Sequence, residues 1–572
     1  MNNLLVNALP VADWVETITE WFTNTFSGLF SLIETVGKQV MGGMTNLLTA
    51  IPPIVFILLM TALAFYISNH KKGLTAFTFL GLLFILNQGL WNDLMSTVTL
   101  VLISSILSII IGVPLGILMA KSDKAQAILK PIFDFMQTMP GFVYLIPAVA
   151  FFGIGMVPGV FASVIFALPP TVRFTNLGIR QVPEELVEAA DSFGSTGKQK
   201  LFKLELPLAK STILAGINQT TMLALSMVVI ASMIGAPGLG RGVLSALQRA
   251  QVGNGFVNGL ALVILAIIID RFTQYINKPR STKKETSPKK KQMTIIAAVA
   301  ILVAAVGSSL FLSQNKASDK KINLAYVEWD SEVASTHVVA EVLKRQGFDV
   351  ETTPLDNAIM WESVSTGKAD ASVSAWLPST HKAQADQYKD KIDLLGENLK
   401  GAKVGLVVPT YMNISSIEEL SDQANKTITG IEPGAGVVAA ADNTLSQYPN
   451  LKDWKVETSS SGAMVVALDQ AIKNKEPIVI TGWTPHWMFS KYDLTYLEDP
   501  KEAMGKPESI QTFTRLGLKE DSPEAYKILD NFNWTPEDLE SVMLDINGGE
   551  SPDVAAKKWV DNNEDKVNSW LN

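Results

Sequence analysis

The feature that most constrains this chain of 572 residues is a series of long apolar segments confined to residues 1–315. A helix that crosses a lipid bilayer needs about 20 mostly apolar residues. The sequence therefore predicts a polytopic α-helical membrane domain. Eight candidate spans cover residues 50–68, 74–91, 97–120, 132–153, 156–173, 211–235, 256–274 and 293–313.

Basic residues are distributed unevenly between the loops of this membrane half. Lysine and arginine collect after the first, third, fifth and seventh candidate spans, and the alternate loops contain few of them. Loops rich in these residues stay in the cytoplasm. The pattern predicts that the N-terminus and the C-terminal half both lie outside the cell.

The C-terminal half has a different composition. Residues 316–572 carry 25 Lys and Arg against 41 Asp and Glu and contain no long apolar run. Strand and helix patterns alternate, beginning with KINLAYVEWDSEVASTHVV, which predicts an α/β fold with mainly parallel sheets. The length suits two lobes. The whole chain contains no cysteine, which excludes disulfides and thiolate metal sites.

Two further segments complete the predicted domain organisation. Residues 1–45 have apolar positions at helical spacing, typical of an amphipathic helix that lies either on the membrane interface or on the membrane domain 46–277. Residues 278–315 combine a basic linker with a tethering transmembrane helix, ahead of the soluble domain 316–572. The linker basic residues are either a topology signal or a contact for anionic lipid.

Three tryptophans of the soluble half follow short strand patterns. Trp329, Trp376 and Trp483 would lie at strand ends, where open α/β sheets bind ligands. Indole faces attract cations that lack N–H donors, and each contact contributes about 0.5–2 kcal/mol. These side chains form either an aromatic cage for a quaternary ammonium group or part of the core.

An anion site is predicted beside this cage. EPGAGVV, residues 432–438, is a glycine-rich turn that runs into a helix, so its backbone N–H groups could hold a carboxylate. His381 follows Trp376 by five residues and could donate to the same group, although a lone histidine is more often structural. Together these features would suit a zwitterion.

Between the fifth and sixth spans the sequence predicts two short cytoplasmic helices, over residues 184–207. They could fill a groove on a cytosolic partner or form an amphipathic surface loop. The run Glu188-Ala189-Ala190, with Gly194 and then Leu204-x-Leu206-Pro207, resembles the EAA signature of ABC importer permeases, although Leu204 stands where Ile is usual. The resemblance implies that Glu188, Ala189, Ala190 and Gly194 belong to the coupling helix that docks onto an ATPase subunit.

The soluble half resembles the glycine betaine-binding proteins of ABC importers through VEWDSE, AWLPSTH, EPGAGV and GWTPHWMF. The resemblance implies a periplasmic-binding-protein-like domain whose cage is Trp329, Trp376 and Trp483. It also implies carboxylate contacts from His381 and from the backbone of Gly436 and Val437. We assign His486 and Trp487 to structure beside the site.

Taken whole, the chain resembles the fused permease and substrate-binding subunit of osmoregulatory glycine betaine ABC importers of the OpuA type, with a type I permease fold. This resemblance implies a homodimer of this chain with two ATPase chains. The ATPase, which would bind ATP and Mg, is expected on separate chains because no G-x-x-x-x-G-K-[ST] motif occurs here. We expect no enzymatic activity, no metal or cofactor and no nucleic acid. The alternatives are another cargo (carnitine, choline, proline betaine or an amino acid), a ligand-sensing membrane receptor, or a membrane-anchored enzyme.

Overall fold

The computed structural model describes residues 11–248, 251–277 and 320–571. They form two compact units, a helical unit before residue 278 and an α/β unit after residue 319, with residues 244–255 grouped with the second. The helices before residue 278 are α1 Val11–Thr25, α2 Ser27–Ala50, α3 Pro53–Ile67, α4 Lys72–Asn87, α5 Trp91–Lys121, α6 Asp123–Thr138, α7 Leu145–Phe152, α8 Met156–Arg180, α9 Glu184–Ser192, α10 Gly197–Lys200, α11 Leu206–Ser232, α12 Leu239–Gln248 and α13 Val252–Asn277.

Four helical segments among the described residues are long and apolar enough to cross a membrane: α5, α8, Gly197–Ser232 and α13. Two further pairs of helices pass the same test together but are sharply bent. The pair α2 and α3 meets at 93°, and Asp123–Thr138 meets Gly141–Phe152 at 106°. The membrane half is therefore polytopic, as predicted, with up to six spans in the described residues.

The candidate span 132–153 is wrong as a single helix. Met139 takes an extended conformation with φ −67° and ψ 135°, which ends α6 before Pro140. Proline disfavours the helical conformation at the residue that precedes it, and here the chain turns even though its apolar character continues. The candidate span 74–91 becomes α4, a helix of 16 residues. The candidate span 293–313 lies outside the described residues.

The centre of the helical unit is formed by α5, α8 and α11, which approach closely at small residues. A Cβ added at Gly116 of α5 would lie 2.5 Å from the Thr175 Cβ of α8. A Cβ at Gly216 of α11 would likewise lie 2.5 Å from the Phe174 Cβ. Small residues at such crossings allow the backbones to pack tightly in a membrane, where helices gain little from the hydrophobic effect.

The N-terminal segment is helical in α1 and most of α2. The side chains of Trp14, Ile18 and Trp21 are each more than half exposed on α1. The amphipathic pattern of the sequence is thus present in the structure. The placement of this face, on the membrane interface or on the membrane domain, stays a prediction.

The α/β unit contains nine strands among its described residues. They are β1 Lys321–Tyr326, β2 Asp349–Pro354, β3 Ala371–Leu377, β4 Ile392–Pro409, β5 Thr427–Thr429, β6 Lys455–Glu457, β7 Val479–Thr484, β8 Leu494–Tyr496 and β9 Glu508–Arg515. The helices are α14 Asp330–Arg345, α15 Asn357–Ser365, α16 Lys382–Tyr388, α17 Gly436–Gln447, α18 Ser461–Asn474, α19 Met488–Lys491, α20 Leu518–Asp521, α21 Pro523–Asn531, α22 Pro536–Asn547, α23 Pro552–Asn562 and α24 Glu564–Leu571.

The long strand β4 divides this unit into two lobes. Its first part, to Ala402, pairs with β9, and its second part, from Lys403, pairs with β7 and β8. Lobe 1 thus holds β1, β2, β3 and β9, and lobe 2 holds β5, β6, β7 and β8. The chain returns to lobe 1 between β8 and β9. The two-lobed α/β prediction is confirmed.

The prediction of mainly parallel sheets is wrong. Strand β1 runs parallel to β2 and β3, and β5 runs parallel to β6 and β7. Every pair that includes β4 or β9 is antiparallel. Strand β4 runs from lobe 1 into lobe 2, and β9 follows the return of the chain to lobe 1. Neither strand therefore belongs to a strand–helix–strand repeat, which is the unit that predicts parallel pairing.

Candidate functional site

The three predicted tryptophans line one cavity in the α/β unit. Trp329 precedes α14, Trp376 lies one residue before the end of β3, and Trp483 lies one residue before the end of β7. Each indole is buried, and the cavity encloses about 300 Å³ of empty space, its open mouth included. Its lining is almost entirely apolar. The full set of lining residues is Trp329, Trp376, Thr380, Val404, Ile431, Ala435, Gly436, Val437 and Trp483.

The polar edges of two of these indoles are satisfied by buried carboxylates. The Trp376 indole N–H donates to Glu332 Oε1 at 2.7 Å, and the Trp329 indole N–H donates to Glu432 Oε1. Burial raises the pKa of Glu332 to about 7, against the opposing effect of its hydrogen bonds, and burial also raises the pKa of Glu432. Because the N–H groups are occupied in this way, the cavity is left with ring surface.

The start of α17 forms the other end of the cavity. Gly436 is the first residue of this helix, and Ala435 before it is extended. The first N–H groups of a helix have no acceptor within the helix, and the helix dipole favours an anion at this position. Gly436 and Val437 both line the cavity, so their N–H groups lie close to it, and the predicted contact with a carboxylate stays a prediction.

A close backbone approach joins the two lobes at this point. A Cβ built on Gly436 would lie 2.2 Å from the carbonyl oxygen of Thr380, which belongs to lobe 1. Thr380 is itself fixed, because Glu508 Oε1 accepts the backbone N–H groups of Ser379 and Thr380 at 2.6 Å each. Only glycine fits at position 436 while the lobes are this close.

His381 is fully buried but is not among the residues that line the cavity. Its Nδ1 accepts the backbone N–H of Trp376 at 3.1 Å, and its ring stacks on Trp329 with 5.9 Å between centroids. Burial lowers the pKa of His381 to about 4, so the ring is neutral and its proton lies on Nε2. Among the described residues Nε2 makes no hydrogen bond of ordinary geometry, although the backbone of Ser374 is close enough to oppose the fall in pKa.

His486 and Trp487 lie beside the cavity and do not line it. The Trp487 indole N–H donates to Asp330 Oδ2 at 3.1 Å, which joins lobe 2 to the first turn of α14. The His486 ring packs edge-on against Trp483, with 4.7 Å between centroids. Both contacts hold cavity-lining elements in place.

The segment 184–207 forms the predicted helix pair in the helical unit. Helix α9 ends before Gly194, whose φ of +72° suits glycine, and α10 continues through a π-helical turn, Leu201–Glu205, into α11. Lys200 and Asp191 tie the two helices together at 2.8 Å. Glu188 and Ala189 are exposed, Ala190 is partly buried, and Phe193 of the same surface is 90% exposed.

Comparison with known proteins covers both units. Residues 112–282 match the family of inner membrane components of binding-protein-dependent transport systems, and residues 320–562 match the substrate-binding domain of ABC-type glycine betaine transport systems. The glycine betaine/carnitine transport permease protein GbuB of Listeria monocytogenes is 57% identical over 275 residues, which is 48% of this chain and 97% of that protein.

The chain belongs to the ABC-type glycine betaine transport family. The glycine betaine transport system permease protein OpuAB of Bacillus subtilis is 50% identical over 275 residues, again 48% of this chain and 97% of that protein. The crystal structure of lactococcal OpuAC, closed and complexed with glycine betaine, is 61% identical and covers 44% of this chain and all of that chain, with a TM-score of 0.44. This member of the family is therefore a permease fused to a substrate-binding domain, a transporter subunit and not an enzyme.

The sequence did not reveal several residues of the cavity in this glycine betaine transport family member. Thr380, Val404, Ile431 and Ala435 line it, and Glu332 and Glu432 hold its indoles. Glu432 stands in the predicted EPGAGVV turn, and Glu332 follows Trp329 by three residues, so an acidic residue close to each predicted site was the available signal. The described residues contain no group of three or more His, Asp and Glu side chains suited to a metal.

Proposed function

We propose that this chain is the transmembrane and substrate-binding subunit of an ATP-driven importer for glycine betaine or a related quaternary-ammonium compatible solute. The proposal rests mainly on one observation: three indoles and the open start of α17 line a single cavity. A trimethylated ammonium has no N–H groups, so ring faces are its natural partners. A carboxylate on the same small molecule matches free backbone N–H groups.

The proposed binding residues divide between the two ends of the ligand. Trp329, Trp376 and Trp483 surround the ammonium group. The backbone N–H groups of Gly436 and Val437 receive the carboxylate, with His381 as a third donor. His381 supports this role because its Nε2 carries the proton of the neutral ring and the ring stacks on Trp329, which lines the cavity.

The remainder of the proposal concerns energy coupling and placement. Two ATPase chains, which carry ATP and Mg, dock in the cytoplasm on α9 and α10 through Glu188, Ala189, Ala190 and Gly194. The exposed side chains of Leu186, Phe193 and Phe202 support a partner there. A second copy of this chain completes the permease, and the α/β unit lies outside the cell. We also include in this proposal a contact between anionic lipid and the basic residues of 278–292. These residues lie outside the part of the chain that the structure describes.

A second cargo is favoured by one comparison. The name of the permease that is 57% identical to this chain includes carnitine as well as glycine betaine. Carnitine also combines a trimethylammonium group with a carboxylate, so the same cavity chemistry applies. Choline, which lacks the carboxylate, would leave the start of α17 without a partner.

Binding and transport test the proposal separately. The full-length chain, purified in detergent, is titrated calorimetrically with glycine betaine, carnitine, choline and proline. We expect saturable binding of glycine betaine and no measurable binding of proline. Vesicles that contain the chain and its ATPase should accumulate glycine betaine only with ATP, and scrambling residues 184–207 should abolish accumulation while binding persists. Equal accumulation after scrambling would refute the coupling assignment.

A further inference from the structure

A buried carboxylate lies behind one wall of the cavity. Glu332, in the first turn of α14, is 1% exposed and does not line the cavity. Its Oε1 accepts the indole N–H of Trp376 at 2.7 Å. Its Oε2 makes no hydrogen bond of ordinary geometry among the described residues, although the hydroxyl groups of Ser374 and Ser331 are close enough to favour the charged form. No lysine or arginine contributes to the electrostatic environment that shifts its pKa.

Burial raises the pKa of this group to about 7, so without a nearby cation the carboxyl is divided between its neutral and its charged form near neutral pH, and a cation beside it favours the charged form. Burying a carboxylate without a cation carries a large desolvation cost, so buried carboxylates are normally paired. The start of α14 supplies partial positive charge to Glu332. A cation in the cavity that Trp376 lines would balance this charge.

The hydrogen bond connects this charge to the ring. A carboxylate that accepts the indole N–H shifts electron density onto the ring and makes its π face more negative. The effect arises because hydrogen-bonded groups polarise one another in a low-dielectric interior. A cation held on that face is then attracted both by the enriched ring and by the carboxylate charge. A neutral group of the same shape gains neither contribution.

We propose that Glu332 is a specificity-determining residue that acts through Trp376 and makes the cavity prefer a quaternary ammonium over a neutral group of the same shape. The inference rests on the proposed function of the cavity and adds a residue that does not touch the ligand. Glu332 is a positioning residue in this sense, and its effect is on ligand charge and not on ligand shape.

Glu332 is better suited to a test than Glu432, the carboxylate behind Trp329. The bond between Trp329 and Glu432 joins lobe 1 to lobe 2, so its loss would also change how the lobes close. Glu332 and Trp376 both belong to lobe 1. A change at Glu332 therefore isolates the charge.

The experiment compares two ligands of one shape. Glycine betaine and 3,3-dimethylbutanoate differ only in a quaternary nitrogen against a quaternary carbon. Both are titrated calorimetrically against the full-length chain in detergent, as wild type and as Glu332→Gln, whose side-chain carbonyl still accepts the Trp376 N–H. We expect the preference for glycine betaine to fall by about tenfold or more, which corresponds to about 1.4 kcal/mol. The affinity for 3,3-dimethylbutanoate should change by less than about threefold.

A matched control is Glu362→Gln on α15, a carboxylate of the same lobe outside the cavity, which should leave both affinities unchanged. Thermal unfolding confirms that each variant is folded, and Glu332→Met provides a second neutral variant if the first unfolds. An equal loss of affinity for both ligands would show a purely structural role and overturn the inference, as would an unchanged preference. Failure of the wild-type chain to bind glycine betaine would instead refute the proposed function, and the inference with it.

Discussion

Gly436→Ala tests whether the close approach of the two lobes is required for binding. The added Cβ would lie 2.2 Å from the Thr380 carbonyl oxygen, whereas ordinary contact begins near 3.4 Å. Neither atom can move freely, because the Thr380 backbone is held by Glu508 and the Cβ is attached directly to the backbone at the start of α17. The lobes must therefore separate by about 1 Å in a closely packed region.

The size of the effect follows from what this separation weakens. A gap of about 0.5–1 Å between two atoms removes a quarter to a half of their van der Waals attraction, and we assume a similar fraction for the other contacts. Three indole contacts of about 1 kcal/mol each and two hydrogen bonds to a carboxylate of about 2 kcal/mol each would then lose roughly half their strength. The expected loss is about 3 kcal/mol, or roughly 100-fold in the dissociation constant for glycine betaine.

The assay is calorimetric titration of the full-length chain with glycine betaine, together with thermal unfolding. Alanine suits the first turn of a helix, so the variant should fold normally. Gly548→Ala is the matched control, because Gly548 has a φ of −70° after α22 and lies outside the cavity, and it should bind as the wild type does. A folded Gly436→Ala chain with an unchanged dissociation constant would show that binding does not need this approach.

Three further changes separate the parts of the proposed mechanism. Trp376→Ala should weaken glycine betaine binding at least about tenfold through lost ring contact, and an unchanged dissociation constant would exclude Trp376 from the site. His381→Asn should weaken the binding of glycine betaine about tenfold and the binding of choline less than about threefold, because choline has no carboxylate that could accept a hydrogen bond from His381. Equal losses of affinity in the two titrations would assign His381 to packing alone. Glu188→Lys should leave binding intact and reduce ATP-driven uptake into vesicles at least about tenfold, and normal uptake would place the ATPase contact elsewhere.

The main architecture could be predicted because its causes are local. Apolar runs of bilayer length identify α5, α8, α11 and α13, and alternating strand and helix patterns identify the α/β unit. The break before Pro140 is harder to predict, because Pro114, Pro131 and Pro169 lie inside continuous helices. Hydropathy does not locate the break either, because it averages over a window that contains this proline.

The antiparallel pairing of β4 and β9 could not be predicted in this way. Pairing depends on where the chain crosses between lobes, and no local pattern in β4 distinguishes its two halves. Strand patterns record burial and not the direction of the neighbouring strand.

The candidate site shows the same division between local and long-range information. Trp329, Trp376 and Trp483 could be predicted because each follows a short strand pattern and open α/β sheets bind ligands where their strands end. Glu332 and Glu432 were missed because an acidic residue in a sequence is normally exposed. Their roles depend on hydrogen bonds to residues 44 and 103 positions away. Gly436 was predicted for its helix start, but its approach to Thr380 is visible only in the folded chain.

The fusion of receptor and permease in one chain determines how recognition and coupling defects should differ. Under the proposed function, a receptor tethered to its permease would meet it at an effective concentration that is commonly millimolar, so uptake should not depend on receptor abundance. A variant of the cavity, such as Gly436→Ala, lowers only the fraction of receptors that are loaded, and uptake should recover when external glycine betaine is raised in proportion to its dissociation constant. A variant of α9, such as Glu188→Lys, changes the response of the permease after loading, so no concentration of substrate should restore it. Recovery of both variants, or of neither, would show that the two units do not divide the function in this way.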